Sequence, residues 1–445
     1  MNEPTPDKIC FIAYCCEPGR GSEWGLGWSY VQEMSRTQPV WVVVHDDCRP
    51  ALDRYLRETH KGHAVHPIYV RLPRWLAWMR NANYSLFNIH YYLWQLSAAR
   101  ALRRAHREVK LDLVQHVSLC RWWMPSAATT LASRGVAVVF GPVGGGEILP
   151  KQFRNRSPLM SKIGDGLRLL GRTVFRRDPL LVRTIRSADL LVASIPAVKD
   201  WFGRYGNPRI ELDCASICSS PEVLRGAAET RANRPPDAPF TFGSCGGLSY
   251  YRGVDIAIRA FAKADLPNSR YVHACDGPMR PTLEQLAKEL GVADRVRFLG
   301  DLPHSENVKA MCQCDAMVHT VLRDSQGVLP DTLYAGVPVI TLDHLTPAML
   351  VTGECGHLIP INDSTTPESL VDELARVMRQ WRNDPALVAA KGEAARQRGQ
   401  AFLPESRGII MRATHERALR NARQRNSKRT PALLPSPGMA GRGLG

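Results

Sequence analysis

The sequence predicts an α/β protein built as two parallel-sheet domains facing a central cleft. Three observations carry that expectation: a length of 445 residues, two long runs in which short apolar strands alternate with amphipathic stretches, and a proline cluster between the runs. A chain this long exceeds one ordinary core and suits two domains of roughly 200 residues each. Its hydrophobic content of 44% is that of a soluble globular protein. Strand, helix and strand in repetition argue for parallel sheets covered by helices on both faces.

In the first domain, residues 8–221, the apolar segment 9–14 reads as a buried strand. A glycine-rich turn and a helix over about 22–36 follow it, then a strand at 40–45. Segments 111–117, 136–140, 189–194 and 210–212 are further strands. The boundary falls in 222–239, a polar stretch containing Arg234-Pro235-Pro236-Asp237-Ala238-Pro239. Such prolines continue neither a helix nor a central strand, so the stretch reads as a linker. The second domain, 240–400, has strands at 240–245, 270–274, 296–299, 316–320 and 337–342. Helices lie between them at about 254–263, 281–290, 305–312 and 331–335. A terminal helix over 401–425 is expected to pack back on the first domain, and the Pro-, Gly- and Arg-rich tail 426–445 to be disordered.

Composition narrows the function classes. No run of eighteen apolar residues occurs, so no membrane-spanning helix is expected. The polar start lacks the basic and apolar regions of a signal peptide, which points to the cytosol. The twelve cysteines are scattered without a CxxC pair, and are expected to be buried and reduced rather than zinc ligands. A net charge of +16 reads either as attraction to an anionic partner such as lipid headgroups or a phosphorylated substrate, or as a plain basic background with arginine-rich helices and a basic tail. No nucleic-acid-binding module accompanies that charge, so nucleic acid is not an expected partner.

The chemistry concentrates in ordered pieces of the second half. Cys275-Asp276-Gly277-Pro278 precedes Leu290-Gly291-Val292-Ala293-Asp294-Arg295-Val296-Arg297-Phe298-Leu299-Gly300. Arg323-Asp324-Ser325-Gln326-Gly327 and Ala335-Gly336-Val337-Pro338-Val339-Ile340 follow. In this order the pieces resemble the donor-binding domain of retaining glycosyltransferases of family 4, which have the GT-B fold of two Rossmann-like domains. The first half agrees. Cys16-Glu17-Pro18-Gly19-Arg20-Gly21-Ser22-Glu23, with Trp24-Gly25-Leu26-Gly27-Trp28, resembles the first glycine-rich loop of one branch of that family. Gly141-Pro142-Val143-Gly144-Gly145-Gly146-Glu147 resembles a second signature of the same branch. The resemblance runs from about residue 9 to residue 400.

It implies a nucleotide-sugar donor and transfer with retention to a glycan or lipid-linked acceptor, in exopolysaccharide or cell-envelope glycan synthesis, with no cofactor and no metal. Two phosphates must then be neutralised, which glycine-rich loops and a following helix N-terminus can do. Gly246, Gly247 and Arg252 fit that role in the second domain, and Gly19 and Gly21 could close over the same phosphates from the first. Both turns also read as ordinary strand-to-helix connections. The family typically carries an arginine where Gly247 stands and a lysine where Arg252 stands. Arg323 and Arg20 are the nearby cations that could compensate for the first.

A carboxylate can accept two vicinal hydroxyls at once. Family members usually place two glutamates eight residues apart here, whereas this chain has Asp324 and Asp331, seven apart. Asp331 is assigned the ribose, with a first-turn helix carboxylate as the plain alternative. Asp324, with Ser325, Gln326 and Gly327, would face the sugar. His116 matches a family histidine that contacts the donor sugar, and also reads as a packed histidine under a loop. Glu147 would orient the acceptor or cap a helix. Arg252, Asp324 and His116 are thus the catalytic candidates. A donor-binding subunit without turnover is the alternative, motivated by Gly247 and the shortened acidic loop.

A separate expectation concerns membranes. Tyr84, Phe87, Tyr91, Trp94, Ala98 and Leu102 recur at helical spacing, Arg100, Arg103, Arg104 and Arg107 cluster at that helix's end, and Trp75 and Trp78 precede it. This pattern reads either as a peripheral contact with anionic lipid on the inner face of the plasma membrane or as a core stripe with solvated arginines.

Overall fold

A computed structural model describes residues 7–428 apart from 146, 148, 157–161, 163–165, 167–170, 172, 215 and 324–326. It contains two parallel sheets. The first has seven strands in the order β3-β2-β1-β4-β5-β6-β7, and the second six in the order β10-β9-β8-β11-β12-β13. In the first sheet β1 is Ile9–Ala13, β2 Val40–His45, β3 Val65–Val70, β4 Leu113–Ser118, β5 Ala137–Val143, β6 Leu190–Ala193 and β7 Ile210–Leu212. In the second, β8 is Phe240–Cys245, β9 Ser269–Ala274, β10 Val296–Phe298, β11 Ala316–His319, β12 Val339–Asp343 and β13 Gly356–Pro360.

Central strands such as β1 and β2 are buried almost throughout, as both faces are covered by helices. Two strands lack a clear sequence signal, β3 and β13, and both lie at sheet edges and contain a proline. An edge strand tolerates the missing N–H, while the proline obscures the strand pattern.

The aromatic stripe belongs to the helix Tyr84–Val109. Tyr91, Trp94, Ala98 and Leu102 are fully buried against β-strand residues such as Ile12, Val43 and Val114. Trp94 Nε1 donates to the Val70 carbonyl at 3.0 Å, which satisfies the indole inside the core. These four residues therefore form core, not a membrane face.

The segment 222–239 differs from a plain linker. The helix Pro221–Ala232 occupies most of it and packs on the helix His304–Cys312. Arg231 donates to the Cys312 and Cys314 carbonyls at 2.6 and 2.8 Å. Arg234 grips both carboxylate oxygens of Asp315 at 2.7 Å each. The proline cluster therefore follows a helix that is already docked on the second sheet domain.

The last helix, Pro404–Ser427, returns to the first domain. Met411, Ala418 and Ala422 join the core formed by Phe11, Val42 and Val139. His415 Nε2 donates to Gln115 Oε1 at 2.6 Å, Arg407 pairs with Asp213, and Asn421 donates to the Asp189 carbonyl at 2.8 Å. The helix includes residues 426 and 427 of the expected tail, and 429–445 lie outside the described residues. In the other direction, Leu149 and Phe153 follow β5 yet are buried among Leu248, Val254 and Leu342 of the second domain. Gln152 Nε2 adds a bond to the Asn362 carbonyl at 2.9 Å. Chain thus crosses between the domains in both directions.

Candidate functional site

The site is built on the carboxyl edge of β8, where a parallel sheet exposes loops and helix N-termini. β8 ends at Cys245 and is followed by Gly246, Gly247, the 3-10 turn Tyr250–Arg252 and the helix Val254–Ala264. Gly246 has φ 126°, and a Cβ there would stand 2.9 Å from the Arg252 guanidinium carbon. The backbone angle favours glycine, and a Cβ would push the guanidinium aside. The turn is fixed from behind by Thr320 Oγ1, which bonds to the Arg252 and Gly253 carbonyls at 3.1 and 2.9 Å. His273 Nε2 donates to the Gly246 carbonyl at 2.8 Å. No side chain caps the helix that starts at Val254, so its positive end adjoins the Arg252 turn in the chain.

Gly247 has no such requirement. A Cβ there meets only the Asp276 carbonyl at 3.6 Å, and its φ lies outside the left-handed region. Of the two cations that could stand in for an arginine at Gly247, Arg323 lies over the Tyr251 ring at 4.4 Å and is nearly buried. Arg20 lies over Trp24 at 4.4 Å and pairs with Glu17 at 3.2 Å.

The first domain reaches this edge through the loop after β1. Gly19 takes φ 76°, and a Cβ on Gly21 would stand 2.8 Å from His304 Nδ1. His304 opens the helix that follows β10, so this contact joins the two domains. The His304 Nε2–Ser219 Oγ distance is 2.9 Å, and the Ser219 N–H donates to Asp331 Oδ1 at 2.6 Å. Burial pushes the Asp331 carboxyl above its ordinary range, opposed by the Ser219 N–H and by His304. Only 3% of Asp331 is exposed. Gly21, His304, Ser219 and Asp331 thus form one chain of contacts across the domain boundary. Sequence reasoning found its ends but missed Ser219 and His304, whose separations from Asp331 carry no periodic signal.

His116 takes the packed position of its two readings. It lies on β4 but its side chain is wholly buried, not on the cleft surface. Its Nε2 lies 2.9 Å from Tyr91 Oη and its Nδ1 3.1 Å from Ser126 Oγ. Burial holds its pKa down at about 3, so the ring is neutral. Tyr91 and Ser126 come from distant segments and draw the ring under the loop, which strand position alone does not reveal.

Asp324, Ser325 and Gln326 lie outside the described residues. Gly327, φ 55°, would bring a Cβ to 3.9 Å from the Cys245 carbonyl, which places the end of that loop beside β8. Glu147 follows β5 and accepts from the Gly145 N–H at 3.2 Å. Asp46 and Asp47 hold Arg49 and Arg80. Among the described residues, no group of three or more His, Cys, Asp or Glu is placed to hold a metal ion.

Solved structures share this architecture. The likeness to sucrose-phosphate synthase from Thermosynechococcus elongatus has a TM-score of 0.60 at 15% identity, over 95% of this chain and 100% of that one. That to HepE of Anabaena in complex with UDP and glucose has a TM-score of 0.58 at 18% identity, over 92% and 100%. The chain has the GT-B fold of two Rossmann-like domains.

Within it, residues 227–398 match the family model of glycosyl transferases group 1. A D-inositol 3-phosphate glycosyltransferase of Streptomyces avermitilis is 27% identical over 240 residues, 51% of this chain and 48% of the relative. An exopolysaccharide phosphotransferase of Streptomyces coelicolor is 36% identical over 158 residues, 34% of this chain and 16% of the relative. The chain spans less than half the length of each of these two curated relatives.

Proposed function

We propose that this protein transfers a sugar from a nucleotide-sugar donor to a glycan or glycolipid acceptor, with retention, in exopolysaccharide or cell-envelope glycan synthesis. One observation carries the reading. The Gly246–Arg252 turn sets a guanidinium and an uncapped helix N-terminus at the carboxyl edge of β8, inside the segment matching group 1 glycosyl transferases. Arg252 and the turn amides would hold the diphosphate and stabilise the charge it gains on leaving, without a metal. Asp331 would serve the ribose, and Glu147 would meet the acceptor. Residues 324–327 would face the sugar. UDP in complexes of HepE, and an exopolysaccharide enzyme among the relatives, support the donor class and the setting.

The expected surroundings are the cytosol and the inner face of the plasma membrane. No described helix is long and apolar enough to cross a membrane. Trp75 and Trp78 are 72% and 60% exposed beside the exposed Arg71 and Arg74, a basic and aromatic patch suited to anionic headgroups.

Incubation with a panel of nucleotide-sugars and candidate glycan and lipid-linked acceptors, read as nucleotide release, tests the proposal. Acceptor-dependent release unaffected by EDTA is expected. Donor binding without release on any acceptor would favour a binding subunit, the reading that Gly247 at a cation position supports.

A further inference from the structure

Two cysteines sit directly beneath the phosphate turn. Cys245 ends β8, and Cys275 follows β9. In the parallel register Cys245 pairs with Ala274, so the next residue of an extended strand would point to the opposite face. Cys275 instead takes φ 83°, a left-handed angle costly for a side chain other than glycine. That turn brings its sulfur back to the Cys245 side, and the two Sγ atoms lie 3.8 Å apart. Asn307 Nδ2 donates to both sulfurs, at 3.3 Å to Cys245 and 3.5 Å to Cys275. Cys245 is buried, whereas Cys275 is partly exposed and can meet a solute. Hydrogen bonds from Cys245, from the Gly246 backbone and from Asn307 lower the Cys275 thiol pKa, against the effect of burial.

We propose that Cys245 and Cys275 are an oxidative modification site, a dithiol that a peroxide converts to a disulfide, weakening nucleoside-diphosphate binding at the adjoining Gly246–Gly247 turn. The Cys275 thiolate attacks one peroxide oxygen, breaking the O–O bond and giving a sulfenic acid and one water. The Cys245 sulfur then displaces the sulfenic hydroxyl as a second water. Two thiols lose two electrons, and the peroxide gains them. Closing the sulfurs to a bond of about 2.05 Å pulls the ends of β8 and β9 together. Gly246, the next residue after Cys245, lies beside the Arg252 guanidinium, so the shift carries directly into the turn.

The test uses the full chain, reduced and then exposed to stoichiometric hydrogen peroxide. Non-reducing digestion with mass spectrometry should find a Cys245–Cys275 cross-linked peptide. Calorimetry with UDP should show a severalfold weaker affinity that dithiothreitol restores. Cys245→Ser should yield no cross-link and leave Cys275 as a sulfenic acid that dimedone traps. Sulfurs that stay reduced, sulfurs that oxidise separately, or a cross-link that leaves UDP affinity unchanged would overturn the proposal. A reduced chain that bound no UDP would contradict the donor reading instead, and the cross-linked peptide would then decide the dithiol alone.

Discussion

The Arg252 guanidinium rests against the bare backbone of Gly246, 2.9 Å from where a Cβ would stand. Adding that carbon in Gly246→Ala displaces the guanidinium and strains a backbone at φ 126°. The expected result is a loss of about 1–3 kcal/mol of stability and at least as large a relative loss of UDP affinity as in Arg252→Ala. Chemical denaturation and calorimetry on the same variant read the two effects.

Gly247 predicts the opposite outcome. Its surroundings leave room for a side chain, and its φ lies outside the left-handed region. Gly247→Arg should therefore fold normally and add a charge-assisted contact to the diphosphate. An affinity gain of about tenfold for UDP corresponds to about 1.4 kcal/mol, within the range of a hydrogen bond to a charged group. A variant that folds and binds UDP no better than the parent would remove the diphosphate from this turn.

For Asp331, amide and alanine substitutions separate two roles. Asn can still accept from the Ser219 N–H, so Asp331→Asn should keep the stability of the parent. Asp331→Ala leaves that N–H without its acceptor and should cost about 1–3 kcal/mol. If the carboxylate also serves the ribose, Asp331→Asn weakens UDP binding while the melting temperature stays put. Unchanged UDP binding in Asp331→Asn would confine the residue to the interdomain contact.

Buried neutral histidines give a pH dependence with a defined sign. Burial lowers the pKa to about 3 for His45 and His116 and to about 4 for His273 and His415, against 6.5 for an ordinary histidine. Between those values the unfolded chain binds more protons than the folded one. Their contribution to stability is therefore intact above about pH 6.5 and is lost as pH falls toward 4, by up to about 1.4 kcal/mol per histidine per pH unit. Buried carboxyls such as Asp331, whose pKa is raised, act with the opposite sign. Denaturation at pH 7.5 and pH 5 should show the fall, and His415→Gln should flatten it by one histidine's share. A profile unaltered by that substitution would contradict the assignment.

Much of the architecture was legible because it depends on local pattern. The strands at 40–45, 210–212 and 240–245 fall where apolar runs place them, and Gly246-Gly247 announces a turn after a strand. Edge strands β3 and β13 were not legible, since Pro67 and Pro360 interrupt the pattern that an edge position tolerates. Side-chain direction was less accessible still. His116 and Gly246 both sit at strand ends, yet Tyr91 and Ser126 bury the first while the second opens onto Arg252. The Gly21–His304–Ser219–Asp331 chain depends on domain docking, and no spacing in the sequence encodes it.

Calorimetry of UDP and other nucleoside diphosphates with the parent chain and with Arg252→Ala tests the central claim most directly. The account predicts saturable binding by the parent and a loss of about tenfold or more in the variant, the worth of a charge-assisted contact to phosphate. Equal affinity in the two proteins, or no binding by the parent to any nucleoside diphosphate, would contradict it.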